Sequence, residues 1–242
     1  MKIKNIQISN SGYVDCKSVF YTSQDLLSEK DIYRFHRGEN ILRGEIDSGV
    51  WAVSYLLSMY ACTPKDFVLF QPATAEVDGV MVGLEELSKR TCYMDKKHYP
   101  LFRSRASVRQ LIKRGLNQTH LTLFGAPLTV DDVCEMFMLD DERSQRCIAY
   151  CGNESVSSMA AVGYAFGREI FCYPWYSVMR FNYFRYRFYY AFELFERLGL
   201  MAIVPVGEGE INEDGRGFFE IVLPAERAAQ RERTTSAERE SK

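Results

Sequence analysis

Apolar and polar residues alternate through Met1-Lys2-Ile3-Lys4-Asn5-Ile6-Gln7-Ile8, the period of two expected of a half-buried strand. Strand-forming residues continue through most of residues 1–40, and Ser9-Asn10-Ser11-Gly12 and Arg37-Gly38-Glu39 read as turns. An antiparallel β region is therefore expected ahead of residue 44. From 49 to 62 the pattern changes, and apolar residues cover most of the circumference of a helix rather than one stripe. That predicts a buried helix, with Asp47 or Ser48 as its N-cap and Pro64 ending it. Residues 65–70 and 77–82 read as further strands, and Cys92-Tyr93-Met94 as a short buried one.

Helical spacing takes over from about residue 108, where Val108, Leu111 and Ile112 share a face. Thr129-Val130-Asp131-Asp132 opens another helix, which carries Cys134, Phe137 and Met138. A helix of small residues over 157–164 precedes the apolar strand Ile170-Phe171-Cys172-Tyr173, and helix and strand continue to Val206. The order predicts an α/β fold with a mostly parallel sheet, an antiparallel β edge subdomain and a helical insert at about 103–160. One domain is expected over 1–223. Residues 224–242, rich in Glu, Arg, Ala, Ser and Thr, are expected to form a charged, disordered tail.

Hydrophobic residues make up 47% of the 242, enough for a large core. With 30 basic against 32 acidic residues the net charge is −2, so no global field draws the chain to nucleic acid or to an anionic membrane. No apolar run is long enough to cross a bilayer and the amino end lacks a signal-peptide core, so a cytoplasmic protein without a membrane span is expected. The 7 cysteines form no Cys-x-x-Cys pair and read as reduced, buried thiols. His36, His98 and His120 have no ligand-like spacing, so no metal site is expected.

Gly44 and Gly49 are separated by four residues, the glycine spacing of a loop that wraps phosphate ahead of a helix. In such a loop a lysine and then a serine or threonine follow the second glycine, reaching the terminal phosphates and magnesium. Here Val50 and Trp51 hold those positions, while Glu45 and Asp47 add negative charge. Each missing charge-assisted contact forfeits roughly 1.5–3 kcal/mol. The candidate cofactor-binding residues are thus Gly44, Asp47, Ser48, Gly49, Val50 and Trp51, as a degenerate phosphate loop. A buried helix simply capped by Asp47 or Ser48 is the other reading of the same residues.

The order of segments resembles the nucleotide-binding domain of an ABC-type ATPase, a P-loop NTPase-like fold, over roughly residues 1–206. Gly38-Glu39 falls where the family has a Gly-Glu pair before its loop, and Glu76-Val77-Asp78-Gly79 where it has a short β segment after the first helix. Cys92-Tyr93-Met94-Asp95, with Pro100-Leu101-Phe102 and Ser107-Val108-Arg109, is similar to the glutamine-loop segment, with Asp95 near the glutamine's place. Cys151-Gly152-Asn153-Glu154 is similar to the family signature, Ser-Gly-Gly followed by Gln or Glu, so Gly152, Asn153 and Glu154 are the signature-like residues. The next strand should end in Asp-Glu, one carboxylate holding magnesium through water and the other activating the attacking water. The chain instead reads Ile170-Phe171-Cys172-Tyr173-Pro174-Trp175-Tyr176-Ser177, and no histidine follows 202–206 to serve as the family's switch.

The resemblance implies a non-catalytic ABC-ATPase-like subunit or regulator acting through protein contacts, by analogy in a transport assembly. It implies no catalytic residue, and no cofactor or only weakly held ATP and magnesium. The implied partners are a second copy or an intact ABC-type ATPase, and a membrane transporter subunit. An ATP-binding transporter subunit with weakened or no hydrolysis is the alternative. A reading of another class, nucleic-acid binding, rests on 180–195, where Arg180, Arg185 and Arg187 interleave with rings able to stack bases. As a helix this segment carries rings in nearly every direction, more than one sheet-facing stripe uses.

Overall fold

The computed structural model describes residues 3–9, 13–15, 25–26, 33–44, 50–59, 68–69, 74–123, 125–212 and 219–222. The amino-terminal strands are β1 (Asn5–Ser9), β2 (Tyr13–Asp15), β3 (Asp25–Leu26), β4 (Tyr33–His36) and β5 (Gly38–Arg43). Helix α1 (Val50–Met59) follows, then β6 (Val68–Leu69), β7 (Thr74–Val77), β8 (Val80–Val82), α2 (Leu84–Ser88) and β9 (Thr91–Tyr93). The middle of the chain holds α3 (Val108–Thr119), β10 (Thr122–Leu123), β11 (Ala126–Pro127), α4 (Val130–Met136) and α5 (Asp141–Ser144). Last come α6 (Ser155–Ala165), β12 (Ile170–Cys172), α7 (Val178–Leu198), β13 (Met201–Val206) and β14 (Phe219–Val222).

Strands β4, β1, β7 and β8 form an antiparallel sheet in that order, and β14, β5, β13, β12 and β9 an all-parallel one. Strands β3, β2 and β6 make a small third sheet. The chain passes from antiparallel to parallel pairing across Arg37 and Gly38. Gly38 has φ +87°, a left-handed conformation that glycine takes without strain. Asn40, fully buried, holds the corner: its amide donates to the carbonyls of His36 (2.6 Å) and Ala202 (3.0 Å), and its Oδ1 accepts the His36 N–H (2.8 Å). The expected β edge ahead of the loop is present. Residues 77–82, read above as one strand, instead contain a hairpin tip, because Asp78 (φ 49°) and Gly79 (φ 85°) form a left-handed Asp-Gly turn between β7 and β8. The Asp78 carboxylate accepts the N–H groups of Lys4 and Asn5, fastening that turn to β1.

The parallel sheet is covered on both faces. Successive strand residues point opposite ways, and β12 shows the division: Cys172 meets the hydroxyls of Ser54 and Ser58 on α1, whereas Phe171 stacks on Phe195 of α7 with centroids 4.5 Å apart. Helix α1 has no polar face and needs none, since Val50, Trp51, Val53, Tyr55 and Leu57 are all buried. Gly163 lets α6 close onto the sheet, for a Cβ there would lie 2.9 Å from Phe171 and 3.0 Å from the Cys92 sulfur.

The insert is mostly helical, with capping boxes at Ser107/Gln110 and Thr129/Asp132 fixing the starts of α3 and α4. It also holds an unforeseen hairpin, β10–β11, where Gly125 (φ +85°) and Pro127 interrupt helical spacing. Helix α4 ends in a Schellman turn, with Leu139 N–H on the Cys134 carbonyl (2.8 Å) and Met138 N–H on Glu135 (3.0 Å). Among the described residues no helix is long and apolar enough to cross a membrane.

Candidate functional site

The carboxyl ends of β5, β13, β12 and β9 meet at one edge, where parallel α/β sheets bind their ligands. Strand β5 runs into Gly44, whose N–H donates to the Val206 carbonyl (3.0 Å) at the end of β13. Asp47, Ser48 and Gly49 lie outside the described residues. Val50 and Trp51 open α1 and are 0% and 5% exposed, so the side chains in the lysine and hydroxyl positions pack into the core. Strand β12 ends at Cys172, followed by Tyr173-Pro174-Trp175-Tyr176 in place of carboxylates.

Trp175 reaches Gly44, its Nε1 donating to the Gly44 carbonyl at 3.0 Å. Trp51 lies edge-on to Tyr55 (6.3 Å), and Tyr55 edge-on to Tyr93 (5.5 Å) at the end of β9. On the other face Tyr173 and Tyr176 pack on Phe184 of α7, at 5.7 and 5.0 Å. Burial pushes the hydroxyl pKa values of Tyr93, Tyr173 and Tyr176 up, so these rings stay neutral. Burial likewise pushes the Cys172 thiol up to about 12, against the opposing effect of the Ser54 and Ser58 hydroxyls. The backbone is held as firmly: the Ser54 hydroxyl donates to the Tyr173 carbonyl (2.5 Å), Tyr176 N–H to Pro205 (3.0 Å) and Gly207 N–H to Tyr176 (2.9 Å). Among the described residues, the end of β12 thus presents neutral rings, which supply neither a general base nor a hard-metal ligand.

Asp95, in the glutamine's place, is engaged in its own turn. One oxygen accepts the N–H groups of Lys97 (2.7 Å) and His98 (3.2 Å), and the other lies 3.0 Å from the His98 Nδ1. Its neighbour Lys96, which the sequence reading passed over, donates to the Cys151 carbonyl (2.9 Å) and ties the entry of the insert to the signature-like turn.

Gly152 and Asn153 are exposed on that turn, and Glu154 leads into α6. Arg146 Nη1 donates to the Glu154 carboxylate at 3.0 Å, and the backbone N–H groups of Glu154 itself and of Gly152 lie on the same side of the turn. The backbone amides first, and then Arg146, hold its pKa below the usual carboxylate value despite partial burial. The structure thus gathers Gly44, Val50 and Trp51 at the sheet edge and carries Gly152, Asn153 and Glu154 on the insert.

The arginine-aromatic segment is helical, within α7, but its central arginine is unavailable to nucleic acid. Arg185 is 2% exposed, with Nε 3.2 Å from both oxygens of Glu39 and Nη1 donating to the Asn212 carbonyl (3.0 Å). Glu39, the acid of the Gly-Glu pair, is used up in this buried pair. Arg180 stands 5.4 Å from the Tyr176 ring. The Arg187 side chain lies outside the description. Phe181, Phe184, Phe192 and Phe195 are buried, while Tyr183 and Tyr190 are exposed.

No family profile and no curated protein matches the sequence. Solved structures do match. An ABC transporter ATP-binding protein, so described as putative, from Pyrococcus furiosus is 10% identical with a TM-score of 0.54, covering 90% of this chain and 97% of its own. CbiO1 from Clostridium perfringens, part of the ABC transporter complex cbiONQ, is 12% identical with a TM-score of 0.54, covering 86% of this chain and 80% of its own. A bacterial Atm1-family ABC exporter with ATP bound gives 10% and 0.54, covering 92% of this chain and 37% of the exporter chain. The fold is that of ABC-type ATP-binding domains, with the P-loop-like parallel sheet and antiparallel edge that the order of segments implied.

Proposed function

We propose that the chain is a non-catalytic ABC-ATPase-like protein, acting as a subunit or regulator through protein contacts. One observation carries the reading: at the edge where such a sheet would hold nucleotide, Val50 and Trp51 are buried in the core and Trp175 is bonded to Gly44. A triphosphate there would meet no lysine, hydroxyl or metal carboxylate at the matching positions. The signature-like turn supports the same reading, because it places a carboxylate, Glu154 paired with Arg146, beside the start of α6 where a phosphate would have to approach. Two of the similar structures come from transporters by their descriptions, which supports a place in a transport assembly beside an intact ABC-type ATPase or a second copy of this chain.

The test is calorimetric titration of the folded full chain with ATP to millimolar concentration, with and without magnesium. No saturable heat is expected. Saturable binding would overturn the reading that the chain acts through protein contacts alone and put an ATP-binding subunit with weakened or no hydrolysis in its place.

A further inference from the structure

Helix α7 starts at the carboxyl end of β12 and leads back to the start of β13, so its last turns lie at the end of the sheet away from the phosphate loop. There a cleft of about 580 Å³ opens between α7 and a wall made by β10, β11 and α4. Leu128 and Leu194 are buried within it, Met136 is half-buried, and Met138 and Tyr190 stand 57% and 50% exposed beside them. Among the described residues its charged lining is Asp132 and Glu135 on one wall and Glu193 and Arg197 on the other, three carboxylates against one guanidinium. Among the described residues neither Glu135 nor Glu193 has an ion-pair partner.

Met138 is a second, independent sign. It occupies the left-handed position of the Schellman turn (φ 56°), where α7 in the equivalent place has Gly199 (φ 64°). A side chain held in this strained conformation, pointing an adaptable thioether into solvent at an apolar cleft, is the kind of outlier found at binding surfaces.

We propose that this cleft is a docking groove for an amphipathic helix of another protein, one carrying basic residues beside its apolar stripe. The inference rests on the partner-protein reading above and gives it a surface. The acidic excess selects basic residues and repels an anionic membrane. Strand addition is the poorer fit, since β11 is Ala126–Pro127 and Pro127 has no N–H to donate. A second copy is also the poorer fit: the basic helix α3 exposes Lys113 and Arg114, but its apolar face, Val108, Leu111, Ile112 and Leu116, is already buried in its own chain.

The experiment is fluorescence anisotropy of the full chain with a dye-labelled peptide of about 18 residues, leucines along one helical stripe and lysines elsewhere, beside a counterpart with glutamates for lysines. The Leu/Lys peptide is expected to bind saturably and the Leu/Glu peptide at least about tenfold more weakly. Glu135→Lys with Glu193→Lys should weaken the Leu/Lys peptide by about tenfold or more, and Tyr190→Ala should weaken it with circular dichroism unchanged. Glu85→Lys with Glu86→Lys, an equal charge change on α2, should leave it within about twofold. Absence of saturable binding to the folded chain, or equal loss from the α2 reversal, would overturn the proposal. So would a dimer, seen by sedimentation of the chain alone, that the Glu135 and Glu193 reversals dissociate, because it would place a second copy in the groove. ATP calorimetry reads the other end of the sheet, so failure of the groove and failure of the contacts-alone reading give different results.

Discussion

Single side chains at the sheet edge have consequences that can be measured. Trp175→Phe keeps the ring and removes one hydrogen bond to Gly44, and should lower stability by about 1 kcal/mol in urea titration. Glu39→Ala leaves Arg185 charged and buried, and should cost about 3–5 kcal/mol, whereas replacing both Glu39 and Arg185 by methionine should recover most of that loss. Glu154 gives a pH signature. Its folded pKa lies below its ordinary value of 4.5, so its contribution is present above that value and is lost as pH falls through the folded pKa. Glu154→Gln should therefore melt lower than the parent protein at pH 6, and the gap should close as the melts are taken into the acid below 4.5. Cys172, with its thiol raised to about 12, should resist thiol-reactive dye at pH 8 until the chain unfolds.

At the scale of elements, much of the fold was legible because it depends on local chemistry. The all-round apolar pattern of α1, the alternation of β1, the small residues of α6 and the apolar run of β12 each fix one element, and each is where its pattern puts it. The Asp78-Gly79 hairpin and the Gly125-Pro127 break were equally local, but they sit inside short apolar runs whose period is too brief to separate strand from turn. What could not be read was partnership across long separations. Nothing adjacent to Arg185 in sequence names Glu39 as its partner, and the segment's rings and arginines suggest nucleic acid until the ion pair is seen. Trp175 on Gly44 and Lys96 on Cys151 are of the same kind. Close helix packing gives another prediction at this scale. A Cβ on Gly115 would lie 2.7 Å from the carbonyl carbon of Ala165, so Gly115→Ala should push α3 off α6 and destabilise by about 1–3 kcal/mol in chemical denaturation, despite alanine's better helix propensity.

For the molecule as a whole, one end of the parallel sheet is packed with buried aromatic rings while the other carries an open, acidic, apolar cleft. The two ends are joined by α7, whose first turn follows the aromatic edge and whose last turns line the groove. The chain contains only 2 tryptophans, and Trp51 and Trp175 both lie at the aromatic end. Their emission therefore works as a built-in gauge of that edge: ligands that open it should shift the spectrum to the red, while an occupant of the distant groove that leaves the edge intact should be spectrally silent. Any colour change on adding a groove peptide would mean that α7 carries a signal from one end of the protein to the other.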